Sequence, residues 1–268
     1  MIYLSQQKKG NKLNFKTELH CHSTTVSKCA SATPETIVET YLAHGYTTVV
    51  LTDHFSRFTF NNKKHGDRRG HTHAQRVDFF LDGTEALRAA AGDRLFVIQG
   101  CELRLNTDDN DYQIYGDSGD FLYANPDIMD IDIAELSRRT HEAGLLLIQA
   151  HPFRNEMRIS DPRLLDGIEV YNGAVGHDSR NDIALRWAER YPHLIRTSGS
   201  DYHRTSNGLV SGGIVTDAPI TSNTQLISVL RSGGYKILGD PYLLPAKRFI
   251  AEGGTVKEEE MRRVGLID

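Results

Sequence analysis

The chain has 268 residues, 39% of them hydrophobic and 25% charged, with a formal net charge of −4. This is the balance of a globular chain long enough for one large α/β domain, and its mild negative charge argues against a nucleic-acid scaffold or a membrane-surface protein. Three cysteines without a C-x-x-C pair fit a reducing compartment, the polar first residues lack the apolar core of a signal peptide, and no apolar run approaches the ~18 residues of a membrane span, so the expected location is cytoplasmic.

In chain order, residues 1–12 read as a polar lead-in and 14–20 as a first strand that ends in His20-Cys21-His22. Residues i and i+2 of a strand share a face, so both imidazoles are aimed at one point. Thr33, Pro34 and Glu35 open a helix as cap, first-turn proline and first-turn acid. Ile37, Val38, Tyr41 and Leu42 form its apolar face and Gly45 its stop. The β-branched run from Thr47 suits a strand buried on both faces, and it ends in Asp53 and His54. Residues 55–72 form a long polar loop rich in Arg, Lys and His, either a lid for an anionic substrate or a solvated charge run.

A helix is expected over 74–91, a strand from Leu95 to Gly100 with Glu102 at its end, and a weaker strand at 112–115. A helix over 132–141 precedes a buried strand at 145–150 that ends at His151-Pro152. A strand at 167–172, a helix at 180–190 and a strand from Leu194 lead to Gly199-Ser-Asp-Tyr-His203. A strand near 213–216, a helix near 222–232 and a strand near 235–238 close a single domain whose core spans about 14–250, followed by a polar tail after about 251.

Strands alternating with helices point to βαβ units and a parallel sheet, whose active site lies at the carboxyl ends of the strands. His20, His22, Asp53, His54, Glu102, His151, Asp201 and His203 all fall there, a registration that scattered histidines would not show. Imidazoles with carboxylates suit Zn, Mn or Fe, and two or more such ions serve metal-assisted hydrolysis. Arg154 suits a bound phosphate or a surface salt bridge equally. His71 and His73 read as surface residues, and His44, His141, His177 and His193 as structural or solvated. No G-x-x-x-x-G-K-[ST], G-x-S-x-G or zinc-finger spacing is present.

Leu19-His-Cys-His22-Ser23, Leu51-Thr-Asp-His54, Gly100-Cys-Glu102, Ala150-His-Pro152 and Gly199-Ser-Asp-Tyr-His203 resemble, in order, the motifs of the PHP (polymerase and histidinol phosphatase) family over about residues 15–240. The resemblance implies a distorted (β/α)7 TIM-like barrel binding two to three divalent ions, commonly Mn, Zn or Fe. It implies one ion on His20, His22, Glu102 and Asp201, a second on Glu102 and His151, and a third on His54 and His203, with Asp53 a ligand or a group behind one. Two departures stand out. Where many members carry an Asp or His after the first motif, this chain has Val26-Ser27-Lys28-Cys29, with Cys29 a poor substitute. Where many carry a second-ion histidine, it has Gln113.

The expected activity is a metal-dependent phosphoesterase in which a metal-bridging hydroxide attacks a small phosphomonoester or nucleotide, with Glu102, Asp201, His203, Asp53 and Arg154 as the catalytic set. An amide or lactone hydrolase on the same metals, or a non-catalytic metal-binding module, are the alternatives. The expected partner is a small phosphorylated molecule, with no membrane and nucleic acid unlikely; no oligomeric state follows from the sequence.

Overall fold

The computed structural model describes residues 14–174, 177–204 and 212–241. The expected lead-in and tail lie outside the described residues.

The elements run β1 (Phe15–Cys21), α1 (Pro34–Ala43), β2 (Tyr46–Leu51), β3 (His54–Phe55), α2 (Arg57–Phe60), α3 (His73–Ala91), β4 (Phe96–Arg104), β5 (Asp111–Tyr115) and α4 (Ser118–Ala124). They continue with α5 (Ile133–Glu142), β6 (Leu146–Gln149), a 3-10 turn (Pro162–Leu164), β7 (Gly167–Asn172), α6 (Asn181–Ala188), β8 (Ile195–Gly199), β9 (Ile214–Thr216), α7 (Asn223–Ser232) and β10 (Lys236–Ile237). Local chemistry sets these limits. The Thr33 hydroxyl accepts from the Thr36 N–H to start α1. Thr72 and Gln75 form a reciprocal capping box at α3. Gly45 takes the positive φ of 74° that stops α1.

One sheet runs in the order β10-β9-β1-β2-β4-β5-β6-β7-β8, with β3 beside β4. It curls until its far strand meets β1. Cys21 bridges to Tyr202, the His22 N–H donates to the Tyr202 carbonyl at 3.0 Å, and the Ser200 N–H donates to Glu18 Oε1 at 2.9 Å. The result is a nearly closed, TIM-like barrel wall of seven strands, β1, β2 and β4 to β8. Its distortion is specific: β5 runs antiparallel to both β4 and β6. Close approach inside the wall excludes a side chain at Gly167, where a Cβ would sit 2.2 Å from the Ile195 carbonyl oxygen.

Helices α3 to α6 cover one flank over a core that includes Phe55, Phe80, Phe153 and Trp187. Strand residues Leu19, Val50, Ile98 and Ile148 share a second core with Leu226 and Leu230 of α7. Among the described residues no helix is long and apolar enough to cross a membrane.

Three expectations need correction. Residues 55–72 are not a structureless loop: they hold the end of β3, α2 and an Asn61–Asp67 bridge. Buried Phe55 and Phe60 anchor the segment, and the Phe55 and Phe80 rings lie 5.4 Å apart edge to face. Two of its charges also reach back to the fold, the Arg68 guanidinium lying 3.6 Å from the Phe79 ring centroid and Lys64 donating to the Ala30 carbonyl, while Arg57, Lys63 and Arg69 stay exposed. Glu102 lies within β4 rather than past its end, because β4 continues through Arg104 against β3 and β5. His73 begins α3, its Nε2 2.5 Å from the Leu122 carbonyl oxygen, rather than lying in a loop. The short helix α4, with Gly119 near its start, carried no periodic signal strong enough to announce it.

Candidate metal centre

The carboxyl ends of the parallel strands bring the expected donors to one rim. β1 delivers His20 and His22, the turn after β2 delivers Asp53, β3 delivers His54 and β4 delivers Glu102. β6 leads into His151, and β8 into Asp201 and His203. His151 and Asp201 both take left-handed backbone, at φ 28° and 51°. Such conformations cost about 1–3 kcal/mol each and persist where the surroundings over-determine them. Here the His151 N–H is held by Glu169 Oε2 at 3.0 Å, and the Asp201 carboxylate is held by Arg154 at 2.5 Å.

Glu102 is the hub. Its Oε1 lies 3.2 Å from both His20 Nε2 and His151 Nε2. Its Oε2 lies 3.2 Å from His22 Nε2 and 2.9 Å from His54 Nδ1. Asp201 Oδ1 approaches His20 Nε2 at 3.4 Å and His22 Nε2 at 3.3 Å, and His203 Nδ1 at 3.2 Å. Four groups of donors have atoms within 4.8 Å of one another: His22, His54 and His203; His20, His22 and Asp201; His20, Glu102 and His151; and His54, Glu102 and Asp111.

The charges in this cluster answer one another. Burial opposes ionisation of Glu102, but the imidazoles of His20 and His54 and the hydrogen bond from His151 hold its carboxyl well below the usual range. Burial likewise opposes ionisation of Asp201, and His20, Arg154 and His203 hold it well below. In return, against burial, Glu169 and Glu102 raise His20 well above the ordinary imidazole value, and Asp201 lifts His203 to about 10. Protonated imidazoles thus stand where a cation is wanted.

Among the clustered donors, the buried Glu102 Oε2 and His151 Nδ1 have no hydrogen-bond partner. A mixed nitrogen and oxygen donor set with an unsatisfied central carboxylate oxygen fits divalent Zn, Mn or Fe.

Behind these donors lies a supporting layer. Glu169 on β7 accepts from His20 Nδ1 at 2.9 Å and so fixes the tautomer that leaves Nε2 free for the cluster. Its other oxygen accepts from the His151 N–H and from Asn172 Nδ2. Glu18, two residues before His20 on β1, receives the N–H groups of Leu19, His20 and Ser200. Burial pushes its carboxyl up to about 7.

Asp53 accepts from the Ser23 N–H and hydroxyl at 2.8 Å and from the Ser27 hydroxyl at 2.6 Å. Its carboxylate is therefore turned toward the 23–27 turn, while Ser27 Oγ lies 3.3 Å from His22 Nδ1. Glu169→Gln is expected to weaken metal affinity by about 10- to 100-fold, because the His20 tautomer is no longer enforced; titration with a fluorescent metal competitor measures it, and unchanged affinity refutes the role.

A cavity of about 380 Å³ opens over the cluster, lined by Cys29, His54, Arg104, Asp111, His151, Arg154, Ala174, His177, Asp201, His203 and Arg204. Arg154 is thus inside the site and not on a remote surface; its Nη2 also donates to Asn172 Oδ1 at 3.0 Å. Arg104, Arg204 and His177 were not among the sequence candidates, and neither was Asp111, whose Oδ2 lies 3.9 Å from His151 Nε2. Glu169 was missed too, although an acidic residue in a buried strand was a signal open to reading.

The family model for the PHP domain matches residues 18–216, most of the chain. The chain belongs to the PHP domain family. No curated protein matches it. Among solved structures, it is similar to a lesion-specific endonuclease from Pyrococcus furiosus (TM-score 0.55, 14% identity), with 84% of this chain covered and 58% of that one. It is also similar to a protein from Bifidobacterium adolescentis described as a metal-dependent phosphoesterase (0.49, 17%), over 81% of this chain and 96% of that one. A third is an amidohydrolase from Chromobacterium violaceum with bound sulfate and no metal (0.48, 17%), over 87% and 99% respectively.

Within this PHP domain the two sequence departures have definite positions. Gln113 sits opposite Glu102 in the β4–β5 register, accepts from the Tyr115 hydroxyl at 2.7 Å and leaves its Nε2 without a hydrogen-bond partner. Asp111, two residues earlier on the same strand, brings a carboxylate to the cluster instead, paired with Arg104 at 2.5 Å. Of the 26–29 stretch, Ser27 is buried beneath Asp53 and Cys29 faces the cavity. Burial opposes ionisation of the Cys29 thiol, but the imidazoles of His54 and His203 bring it down to about 4.

Proposed function

We propose that the protein is a metal-dependent hydrolase acting on a small phosphomonoester or nucleotide. The observation that carries the reading is the convergence of His20, His22, His54, Glu102, His151, Asp201 and His203 beneath a cavity that Arg154 enters. His20, His22, Glu102 and Asp201 would hold one ion, Glu102 and His151 a second, and His54 and His203 a third. Such ions lower the pKa of a bound water and neutralise charge on a phosphoryl group.

The chain's own residues do the rest. Arg154 offers a planar, charged donor to a phosphoryl oxygen. Glu169 keeps His20 in register, and Asp53 keeps the 23–27 turn against His22. Where His203 does not ligate, its imidazole, kept protonated by Asp201, supplies the proton of the leaving oxygen. A cavity of about 380 Å³ suits a small ligand. With the formal charge of −4, it favours a small phosphorylated molecule over a nucleic-acid strand.

The test is phosphate release from a broad panel of phosphomonoesters by manganese- or zinc-loaded protein, with Asp201→Ala as control. Release from a narrow group, lost in the variant, supports the reading; no release from any member with metal content verified refutes it and directs the search to amides and lactones. Arg154→Met is expected to lower kcat/KM by about 10- to 100-fold, the worth of one charged hydrogen bond. The loss should be much smaller on a substrate without phosphate, and an equal loss on both kinds refutes the phosphate role.

A further inference from the structure

The turn that carries Cys29 is tied to the strand end that carries His203. Ser31 and Ala32 both donate their N–H to the His203 carbonyl, at 2.8 and 3.1 Å. The Ala30 N–H donates to the Ser27 carbonyl at 3.1 Å, and Lys64 holds the Ala30 carbonyl from the other side. These bonds set the Cys29 sulfur 3.1 Å from His203 Nε2, and the sulfur contacts His54 as well.

His203 donates its Nδ1 hydrogen to the Asp201 carbonyl at 2.9 Å, so Nε2, which faces the sulfur, is the nitrogen open to an ion that displaces its proton. The ring nitrogens of His22, His54 and His203 lie within 4.8 Å of one another. The fully buried Glu102 turns its unsatisfied Oε2 toward this group, 2.9 Å from His54 Nδ1.

We propose that Cys29 is a metal ligand, forming with His54 and His203 a thiolate site that opens onto the cavity and selects zinc over manganese or magnesium. The proposal rests on the metal-centre reading above and deepens it. Thiolate and imidazole donors favour soft or borderline ions, whereas the His20, His22, Glu102 and Asp201 position is built of nitrogen and oxygen and accepts Mn, Fe or Zn. Three protein ligands with one position left open is the arrangement of catalytic zinc. On binding, the Cys29 thiol gives its proton to solvent and its sulfur lone pair to the ion, with no change of oxidation state. The two positions therefore differ in donor softness, and a mixed-metal centre follows. The same sulfur makes the outer ion sensitive to oxidants, because a sulfenic acid is a poor ligand.

Cobalt(II) is the probe. The wild-type protein loaded with cobalt is expected to show a sulfur-to-cobalt charge-transfer band in the near ultraviolet beside visible d–d bands. Cys29→Ser should lose the charge-transfer band and keep d–d absorption from the remaining positions, and elemental analysis should find less zinc per chain with manganese unchanged. Cys29→Asp should restore the ion count without the band. Cys21 and Cys101, both buried, are untouched by these variants. Visible d–d bands without a charge-transfer band in the wild type, or a band that survives Cys29→Ser, overturns the assignment and leaves the metal-centre reading standing. The absence of all cobalt absorption overturns both.

Discussion

Glu102→Gln is expected to lower phosphate release by about 10³-fold or more, roughly 4 kcal/mol of transition-state stabilisation. Its two oxygens address four imidazoles, those of His20, His22, His54 and His151, against three at Asp201. A glutamine of the same shape keeps one acceptor, loses the charge and places an amide against imidazole nitrogens. The damage should appear in kcat and in metal stoichiometry together, which separates it from a substrate-binding defect. Activity within tenfold of wild type, at equal metal loading, would show that Glu102 is not shared between ions.

Metal removal is the second large effect. Glu18, Glu102, Glu169 and Asp201 are all buried around this one site. Taking carboxylates out of water costs several kcal/mol apiece unless opposite charge compensates. Without an ion, protonated His20, His54 and His203 and the guanidinium of Arg154 provide that compensation.

An ion must displace those protons, so its affinity should rise with pH. The sign follows from the direction of the shifts: each imidazole is held above its ordinary value, so protons compete with metal most strongly at low pH and progressively less as pH rises through the raised values. Saturating zinc or manganese should raise the Tm of chelator-stripped protein by ~5–10 °C, the stabilisation that ligand near 100-fold over its Kd gives a domain of this size. The gain should be larger at pH 8 than at pH 6. Differential scanning fluorimetry with added metal measures both. A gain that shrinks as pH rises would contradict the proton competition, and no gain at either pH would contradict the metal centre.

Strand β5 carries the donor that the sequence did not announce. The rule that sites lie at the carboxyl ends of strands located His20, His22, His54, His151, Asp201 and His203, because β1, β2, β6 and β8 point the same way and β3 follows β2. It passed over Asp111 because β5 is reversed. A reversed strand presents its first residue, not its last, at the rim where the parallel strands end. The direction of a strand is set by its neighbours and cannot be read from its own alternation. The same rule put Glu102 just past a strand end, whereas it lies within β4 because of the extra pairing that β3 and β5 provide.

Charge roles were also settled by neighbours. The sequence left Arg154 between a phosphate donor and a surface pair, and the fold puts it against Asp201 and Asn172 inside the cavity. The sequence left the basic run from Arg57 to Arg69 between a lid and a solvated charge run, and the apolar pull of Phe55 and Phe60 folds the segment down, with Arg68 stacked on Phe79.

By itself, then, the sequence determined what is local: where most of the strands and helices lie, which donor types stand at or near the strand ends, and that imidazole and carboxylate dominate. Periodicity, caps and ordered motifs encode these through contacts within a few residues. The tertiary structure alone decided how those side chains come to one cluster, with Glu102 as hub, Glu169 and Asp53 behind it, Asp111 added from a reversed strand and Cys29 brought against His203. Each of these depends on residues far apart in the chain. Their meeting is fixed by barrel closure and strand direction, which arise only when all the strands pack together.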